Sequence, residues 1–131
     1  HPVEQDAIRM RRLDAQILSK GIKAVLDDPK RGIYYVVENN GEIIACLLLL
    51  SEWSDWRNKE VLWIHSVYVR KDWRSNGVFK FMYKYLKQKV NKNSSFAGLR
   101  LFVDKRNKVA KKVYENIGMD GSHYDLFEWL K

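Results

Sequence analysis

The fold is decided by the stretch Val67–Phe79, which has the sequence VYVRKDWRSNGVF. It begins with residues typical of a strand and ends where Gly77 opens an amphipathic helical pattern, predicted over Gly77–Val90. Between them lies a basic turn that contains Arg70 and Arg74. The first turn of a helix presents unpaired N–H groups, and glycine lets a ligand approach the backbone closely. The stretch therefore indicates a phosphate-binding turn, although a plain helix cap explains the same residues when they are considered alone.

A second stretch, Arg100–Met119, favours the phosphate-binding turn over the plain helix cap. A short alternating strand is predicted over Leu99–Val103, and an amphipathic helix follows over Asn107–Ile117. Gly118 is placed to end this helix, because glycine accepts the left-handed backbone found after a helix C-terminus. The chain thus has two strand-to-helix transitions, each with a polar or basic turn before the helix.

Together the two stretches resemble the GNAT acetyltransferase superfamily. The family's pyrophosphate turn, Arg/Gln-x-x-Gly-x-Gly/Ala, is matched here by Arg74 and Gly77, and imperfectly by Phe79. A segment over Glu52–Asn58 also looks like one widespread, mostly uncharacterised subgroup of the family. The resemblance covers roughly residues 32–131. The family's second motif, Asn-x-x-Ala-x-x-x-Tyr-x-x-x-Gly-Phe/Met, is matched by Asn107, Ala110, Tyr114, Gly118 and Met119.

The resemblance implies a single α/β domain over residues 1–131 with the GNAT fold, a mixed, mostly antiparallel central sheet flanked by helices. It implies an enzyme that transfers the acetyl group from acetyl-CoA to a primary amine, on a small cationic molecule or on a protein, by direct attack in a ternary complex. We expect the family's first strand to be absent from this chain or supplied by another molecule, since the sequence begins after the point where that strand would end.

The resemblance also assigns cofactor-binding residues and a catalytic acid. Tyr114 would protonate the departing thiolate, for which a phenol with a pKa of about 10 is suited, while core packing is the alternative explanation. Phe79 stands where a small residue is usual, and we expect it to move the helix slightly away from the pyrophosphate. Ser75 and Asn76 stand where glycine or a base is common. The backbone and side chains expected to hold acetyl-CoA are those of Val67, Tyr68, Val69, Arg74, Ser75, Asn76, Gly77, Val78, Phe79, Asn107, Ala110 and Lys111.

The general base and the acceptor-binding residues are expected near the cleft. His65 is a candidate base, because histidine is a common proton acceptor in catalysis and this one lies in a strand that should line the cleft, although an outward or packed histidine explains it equally. Glu52 is a second candidate base, acting through water, and Asp55 beside it would attract a cationic amine. Trp53 and Trp56 would stack on the substrate or hold its ammonium group, with a packed loop or a dimer contact as the alternative.

Hydrophobic periodicity and turn residues predict the rest of the chain. Helices are predicted over Val3–Ser19 and Lys20–Leu26. Strands are predicted over Gly32–Glu38, Ile43–Ser51, Val61–Val69 and Tyr124–Leu130, with a hairpin turn at Asn39–Glu42 and a loop at Trp53–Lys59.

Composition limits the partners. The net charge is +8, and the basic residues concentrate between Arg70 and Lys92, where Asp72 is the only acid. An anionic cofactor explains this charge, and the alternative is a non-catalytic module that binds acyl-CoA or nucleic acid.

One cysteine, Cys46, excludes a disulfide framework and a multi-cysteine zinc site, and no metal is expected. No apolar run approaches the ~20 residues needed to span a membrane, so we expect a cytoplasmic protein, with a homodimer possible.

Overall fold

The computed structural model describes residues 8–12 and 27–131. In these residues five strands form one sheet in the order β1-β2-β3-β4-β5, with every neighbouring pair antiparallel except the parallel pair β4–β5. The predicted mixed, mostly antiparallel sheet with flanking helices is confirmed. The strands are β1 (Ile8–Arg12), β2 (Ile33–Asn39), β3 (Glu42–Ser54), β4 (Lys59–Val69) and β5 (Phe96–Leu101), and the helices are α1 (Val78–Asn91) and α2 (Lys108–Asn116). Short 3-10 turns lie at Pro29–Arg31 and Lys71–Trp73.

Helix α1 supplies the core on one face of the sheet. Its amphipathic pattern buries Met82 and Leu86 completely, and both belong to the same apolar cluster as Leu47, Leu62 and Ile64 of the central strands. Burying such side chains is the main favourable term in folding. The position of α1 over β4 therefore follows from the apolar stripe that the sequence predicts.

The tight turn between β2 and β3 is the predicted hairpin. Asn40 and Gly41 both have positive φ, at 50° and 83°, as a two-residue turn that matches the twist of the strands requires. At the other end of β3, strand pairing continues to Ser54 opposite Lys59. The predicted loop over Trp53–Lys59 is therefore shorter than expected, since only residues 55–58 form the turn.

The expected absence of a first strand is wrong. Ile8–Arg12 forms β1, which pairs antiparallel with β2 from Ile8 opposite Asn39 to Arg12 opposite Tyr35. The predicted helix over Val3–Ser19 is therefore also wrong for residues 8–12. The other residues of that predicted helix, and the predicted helix over Lys20–Leu26, lie outside the described residues. Alternate residues of a strand lie on the same face, and in β1 the buried residues Ile8 and Met10 lie on the face toward the core.

The strand predicted over Tyr124–Leu130 is also not formed. These residues adopt no regular secondary structure, and each of them is exposed. A strand requires a hydrogen-bonded neighbour, and within the described residues no strand pairs with the outer edge of β5.

Candidate active site

The two parallel strands β4 and β5 separate halfway along β4. Their pairing ends where Ile64 lies opposite Leu101, whereas β4 continues beside β3 as far as Val69. Val67–Val69 therefore has no partner in β5. A groove of about 260 Å³ lies at this opening, and it is lined by residues of both strand ends and of α2. The lining includes His65, Ser66, Val67, Phe102, Asp104, Asn107, Ala110 and Tyr114.

A β-bulge turns the end of β4 at the groove. Cys46 of β3 lies opposite Tyr68 and Leu48 lies opposite His65, so β4 carries one residue more than β3 in this interval. The extra length contains Ser66, whose φ of 50° is in the left-handed region. The sequence analysis did not predict a role for Ser66, since a serine within a strand pattern gives no signal for positive φ.

The basic turn after β4 is more neutral than the sequence indicates. Arg70 donates to both carboxylate oxygens of Asp72, at 2.7 Å each, and to Glu42 at 3.4 Å. These bonds raise the pKa of Arg70 and lower the pKa of the Asp72 carboxyl. Arg74 donates from Nε to the carbonyl oxygen of Val69 at 2.8 Å, which holds its guanidinium at the end of β4. Arg74 makes no ion pair with a described carboxylate, and its guanidinium lies 5.6 Å from the centre of the Tyr68 ring.

The start of α1 is open. Gly77 occupies the N-cap position in a left-handed conformation, with φ 80° and ψ 14°, and no side chain caps the helix. A Cβ atom at Gly77 would meet no atom of the described residues within 4 Å, so the backbone is open at this position. Ser75 also has positive φ, and Asn76 donates from Nδ2 to the carbonyl oxygen of Arg74 at 2.8 Å. An uncapped helix start of this kind fits an anionic group such as a pyrophosphate.

Helix α2 places Tyr114 in the groove. The Asn107 side chain caps the helix, because its Oδ1 accepts a hydrogen bond from the backbone N–H of Ala110 at 3.0 Å. The Tyr114 ring packs edge-on against Phe79, with ring centroids 5.3 Å apart. Partial burial raises the pKa of the Tyr114 phenol. Lys111, on the same helix, is exposed.

The contact between Phe79 and Tyr114 joins the two sequence motifs. Phe79 lies in the first turn of α1 and Tyr114 in α2, so the start of α1 contacts the helix that lines the groove. Phe79 stands where a small residue is usual in the family, and its ring packs against Tyr114. The structure gives its side chain a role, since the ring supports the candidate acid.

The other face of β4 presents an aromatic cluster. Leu62 and Ile64 pack under α1, so the alternate residues Trp63 and His65 lie on the opposite face of the sheet. The rings of Trp63 and Phe102 stack with centroids 4.5 Å apart, and the His65 ring lies within 6.3 Å of both. His65 lines the same groove as Tyr114.

The structure does not bring Glu52 to this groove. Glu52 lies opposite Val61, four residues before His65 on β4, which corresponds to about 13 Å along the strand. Its carboxylate is 3.8 Å from Nη1 of Arg100, and Arg100 lies over the Trp63 ring. A direct or single-water proton transfer needs a shorter distance.

Trp53, Asp55 and Trp56 lie farther away, at the hairpin between β3 and β4. Six residues separate Lys59 from His65, which places the turn about 20 Å along the strand from the groove. Asp55 accepts a hydrogen bond from the backbone N–H of Trp56 at 2.9 Å, and Trp56 is 93% exposed. The structure therefore does not bring these three residues to the groove, because β3 continues to Ser54 and β4 begins at Lys59.

Comparison with known proteins identifies the family. The model of the acetyltransferase (GNAT) family matches residues 4–119. The chain belongs to this family and is an acetyltransferase. No curated protein matches the chain significantly in sequence.

Solved structures support this assignment. A possible acetyltransferase from Clostridium difficile 630 has 32% sequence identity, and the alignment covers 95% of this chain and 98% of that chain with a TM-score of 0.84. An aminoglycoside acetyltransferase from an uncultured soil metagenomic sample, in complex with trehalose, has 14% identity, coverage of 97% and 99%, and a TM-score of 0.77. Ribosomal-protein-alanine N-acetyltransferase from Brucella melitensis biovar Abortus 2308 has 16% identity, coverage of 95% and 100%, and a TM-score of 0.78. The last two similarities show the shared fold.

Two absences hold for the residues that the structure describes. Neither α1 nor α2, nor any other helix in them, is long and apolar enough to cross a membrane. In the same residues no group of three or more histidine, cysteine or acidic side chains could hold a metal ion.

Proposed function

We propose that this acetyltransferase transfers the acetyl group of acetyl-CoA to a primary amine by direct attack in a ternary complex. One observation carries the proposal: the open start of α1 and the helix that bears Tyr114 meet, through Phe79, at the groove where β4 and β5 separate. A diphosphate site and a proton donor thus border one opening. The two ends of an extended thioester cofactor need such an arrangement.

The residues at the groove fit acetyl-CoA, which supplies the acetyl group as a thioester when it is bound. The backbone of Val67–Val69 has no partner in β5, so its polar groups can bind an amide-containing arm. The N–H groups from Ser75 to Phe79 surround the open helix start and can bind the pyrophosphate, with Arg74 beside them. Ala110 and Asn107 line the groove from α2, where Asn107 Oδ1 already serves the cap and its amide nitrogen can donate to a ligand.

Tyr114 is proposed as the acid that protonates the leaving thiolate. Burial raises the pKa of its phenol, so the hydroxyl stays protonated at every pH where the protein would work. A neutral donor is what a departing thiolate requires, and positioned acids typically contribute about 10²- to 10⁴-fold to a rate.

His65 is proposed as the base that receives the proton of the amine. It lines the groove on the face opposite α1, where an acceptor can approach without displacing the helices. The stacked rings of Trp63 and Phe102 beside it offer an apolar wall for the acceptor. Glu52 is too far along β4 to share this role. Trp53, Asp55 and Trp56 would contact only an acceptor that extends about 20 Å along β4, such as a protein chain.

The test compares Tyr114→Phe with Tyr85→Phe, measuring turnover of labelled acetyl-CoA over a panel of amines. Tyr85 is a matched control, because it is also a helix tyrosine packed edge-on against an aromatic ring, Tyr35, but on α1 away from the groove. We expect Tyr114→Phe to lower kcat at least about 100-fold with little change in acetyl-CoA affinity, whereas Tyr85→Phe keeps the wild-type rate.

Two results would contradict the proposal. An unchanged kcat in Tyr114→Phe removes the phenol from the acid role. An absence of binding heat with acetyl-CoA in calorimetry favours a non-catalytic module that binds nucleic acid. Binding of acetyl-CoA without turnover of any amine favours a non-catalytic module that binds acyl-CoA. The cytoplasmic location expected from the sequence stays a prediction.

A further inference from the structure

Arg100 lies on the same face of the sheet as His65, the proposed base. Leu99 and Leu101 of β5 pack against the apolar cluster that contains the buried residues of α1. The alternate residues Arg100 and Phe102 therefore lie on the opposite face. Phe102 lines the groove together with His65, and the centroids of their rings are 6.3 Å apart. Arg100 thus lies two residues before one wall of the candidate active site.

Two aromatic rings position the Arg100 guanidinium. Arg100 is the partner of Trp63 in the pairing of β5 with β4, and its guanidinium carbon lies 5.7 Å from the centre of the Trp63 ring. The centre of the Tyr124 ring lies 5.6 Å from the same carbon. Contacts of this kind attract a cation to the ring face. The Arg100 side chain is 28% exposed, so a positioned positive charge still faces solvent at this place.

The described residues leave most of the hydrogen-bonding capacity of Arg100 unused. A guanidinium carries several N–H donors in a planar fork. The carboxylate of Glu52 lies 3.8 Å from Nη1, which is longer than a hydrogen bond, and the Glu52 side chain is 58% exposed, so this ion pair is weak. By contrast, Arg70 and Arg106 each donate to both oxygens of a neighbouring aspartate. Arg100 is therefore able to bind a carboxylate from outside the chain in the same manner.

The distance between Arg100 and His65 suits an acceptor with two polar ends. Trp63, which lies opposite Arg100, is two residues from His65 on β4, and this spacing corresponds to about 7 Å. Between the two positions the stacked rings of Trp63 and Phe102 provide an apolar surface. An extended chain of about five single bonds spans about 6 Å. A short carbon chain on these rings would therefore join an amine at His65 to an anionic group at Arg100.

We infer that Arg100 determines acceptor specificity, and that the acceptor is a small amine that carries a carboxylate several carbon atoms from its amino group. This inference rests on the proposed function, because it places the amino group at His65. The carboxylate accepts two hydrogen bonds from the planar guanidinium, and the carbon chain lies on the aromatic rings. A second positive charge on the acceptor is disfavoured there, because like charges repel. The preference differs from the cationic acceptor expected from Asp55, which lies away from the groove.

The first test compares three amines of equal carbon number with labelled acetyl-CoA. The chain of δ-aminovalerate ends in a carboxylate, that of pentylamine in a methyl group and that of cadaverine in a second amino group. We expect kcat/KM for δ-aminovalerate to be at least about 10-fold above that for pentylamine, with cadaverine lowest, because only the carboxylate accepts charged hydrogen bonds from Arg100. If pentylamine or cadaverine is acetylated as well as δ-aminovalerate, the inference is overturned and the proposed function is kept.

The second test uses Arg100→Gln, which removes the charge but keeps a polar side chain of similar length. We expect KM for δ-aminovalerate to rise at least about 10-fold, with kcat and the constants for pentylamine nearly unchanged. Arg100→Lys should recover part of the affinity, since it restores the charge without the planar fork. Arg9→Gln is the matched control, because Arg9 is also a strand arginine with one carboxylate, that of Glu38, at 3.9 Å, but it lies in β1 at the other edge of the sheet. An equal loss for both amines in Arg100→Gln would assign Arg100 a structural role and overturn the inference.

A binding measurement separates the failure of this inference from the failure of the proposed function. Calorimetry with δ-aminovalerate in the presence of coenzyme A measures acceptor binding without the chemical step. We expect the wild type and Arg9→Gln to bind equally, and Arg100→Gln to bind at least about 10-fold more weakly. This result without acetylation of any amine would contradict the proposed function alone. Equal binding by the wild type and Arg100→Gln, or no binding by the wild type, overturns the inference.

Discussion

Four residues other than glycine adopt the left-handed backbone region in the described chain, and their positions differ in kind. Asn40 and Asn58 lie in the two hairpin turns, where asparagine tolerates this conformation. Ser66 and Ser75 lie instead in the β4 bulge and in the turn before α1. Serine has no such preference, so the strain is held by the surrounding structure, as is common where a backbone binds a ligand.

Gly77 is predicted to matter for binding as well as for stability. Gly77→Ala should lower the unfolding free energy by about 1–2 kcal/mol, because alanine is strained at a φ of 80° even though its Cβ meets no atom. Gly41→Ala is the matched control, with a φ of 83° and equally open space. Thermal unfolding should give similar losses for both, whereas calorimetry with acetyl-CoA should show weaker binding for Gly77→Ala alone.

Equal acetyl-CoA affinity in the two glycine variants would contradict the proposed diphosphate site. The comparison separates the two effects, since both substitutions introduce the same methyl group into the same backbone conformation. Only the neighbourhood of the open helix start differs between them.

Among the elements, α2 depends most on its cap. It has nine residues and none of them is buried, and a helix of this length is marginal without other support. Asn107→Ala should therefore cost about 0.5–2 kcal/mol of unfolding free energy, measured in urea, and should lower kcat by displacing Tyr114. Asn107→Asp keeps an N-cap acceptor and should retain most of the stability. Asn116→Ala, at the other end of the helix, is the control.

A loss of stability in Asn107→Asp as large as that in Asn107→Ala would show that the cap is not the source of the effect. A loss of acetyl-CoA affinity in Asn107→Asp, with stability kept, would instead identify the amide nitrogen as a ligand contact.

The elements that local sequence predicts correctly are those with local causes. The hairpin at Asn40–Gly41 and the stripe of α1 are determined by turn chemistry and by periodicity. By contrast, β1 is stabilised by long-range contacts, in which Arg11 donates to Glu38 at 2.7 Å and pairing with β2 buries Ile8. Five residues with ambiguous spacing do not reveal such a partner. The same reason explains the segment Tyr124–Leu130, whose residues are typical of a strand although no described strand pairs with it.

In the candidate site as well, features with local causes are predicted from the sequence and features that depend on long-range contacts are not. Motif spacing predicted Gly77 and Tyr114; Gly77 lies at the open start of α1, and Tyr114 lines the groove. The edge-on contact of Phe79 with Tyr114 requires knowing how two helices meet, which the spacing within each does not contain. The placement of Trp56 failed for a related reason, because strand length rather than sequence proximity sets its distance from the groove.

At the scale of the whole molecule, acidic pH should lower the free energy of unfolding, because specific carboxylates become protonated. The pKa of Asp72 is lowered by Arg70, that of Asp104 by Arg106, and that of Asp120 by Ser122, each below the ordinary value of 3.8. A carboxyl with a lowered folded-state pKa stabilises the fold above its ordinary pKa, and this contribution is lost as pH falls through the folded-state pKa. The unfolding free energy should therefore decrease as pH falls below about 4, adding to the repulsion within a chain of net charge +8.

Urea unfolding at a series of acidic pH values measures this dependence. All three carboxylates are exposed, so the effect should be modest and should weaken in high salt. Asp104→Asn should reduce the pH dependence, since it removes one of the three groups. A free energy of unfolding that is constant down to pH values well below 3.8 would contradict the prediction.

The parallel pairing of β4 and β5 has a consequence for the order in which the chain folds. Strands β2, β3 and β4 are joined by two short hairpin turns, so their contacts are local and can form early. The pair β4–β5 forms only after the chain crosses over through α1, which requires a slower closure over many residues. The groove lies at this last junction. Binding of acetyl-CoA should therefore report completed folding, because a chain that has only its meander in place has no opening to bind it.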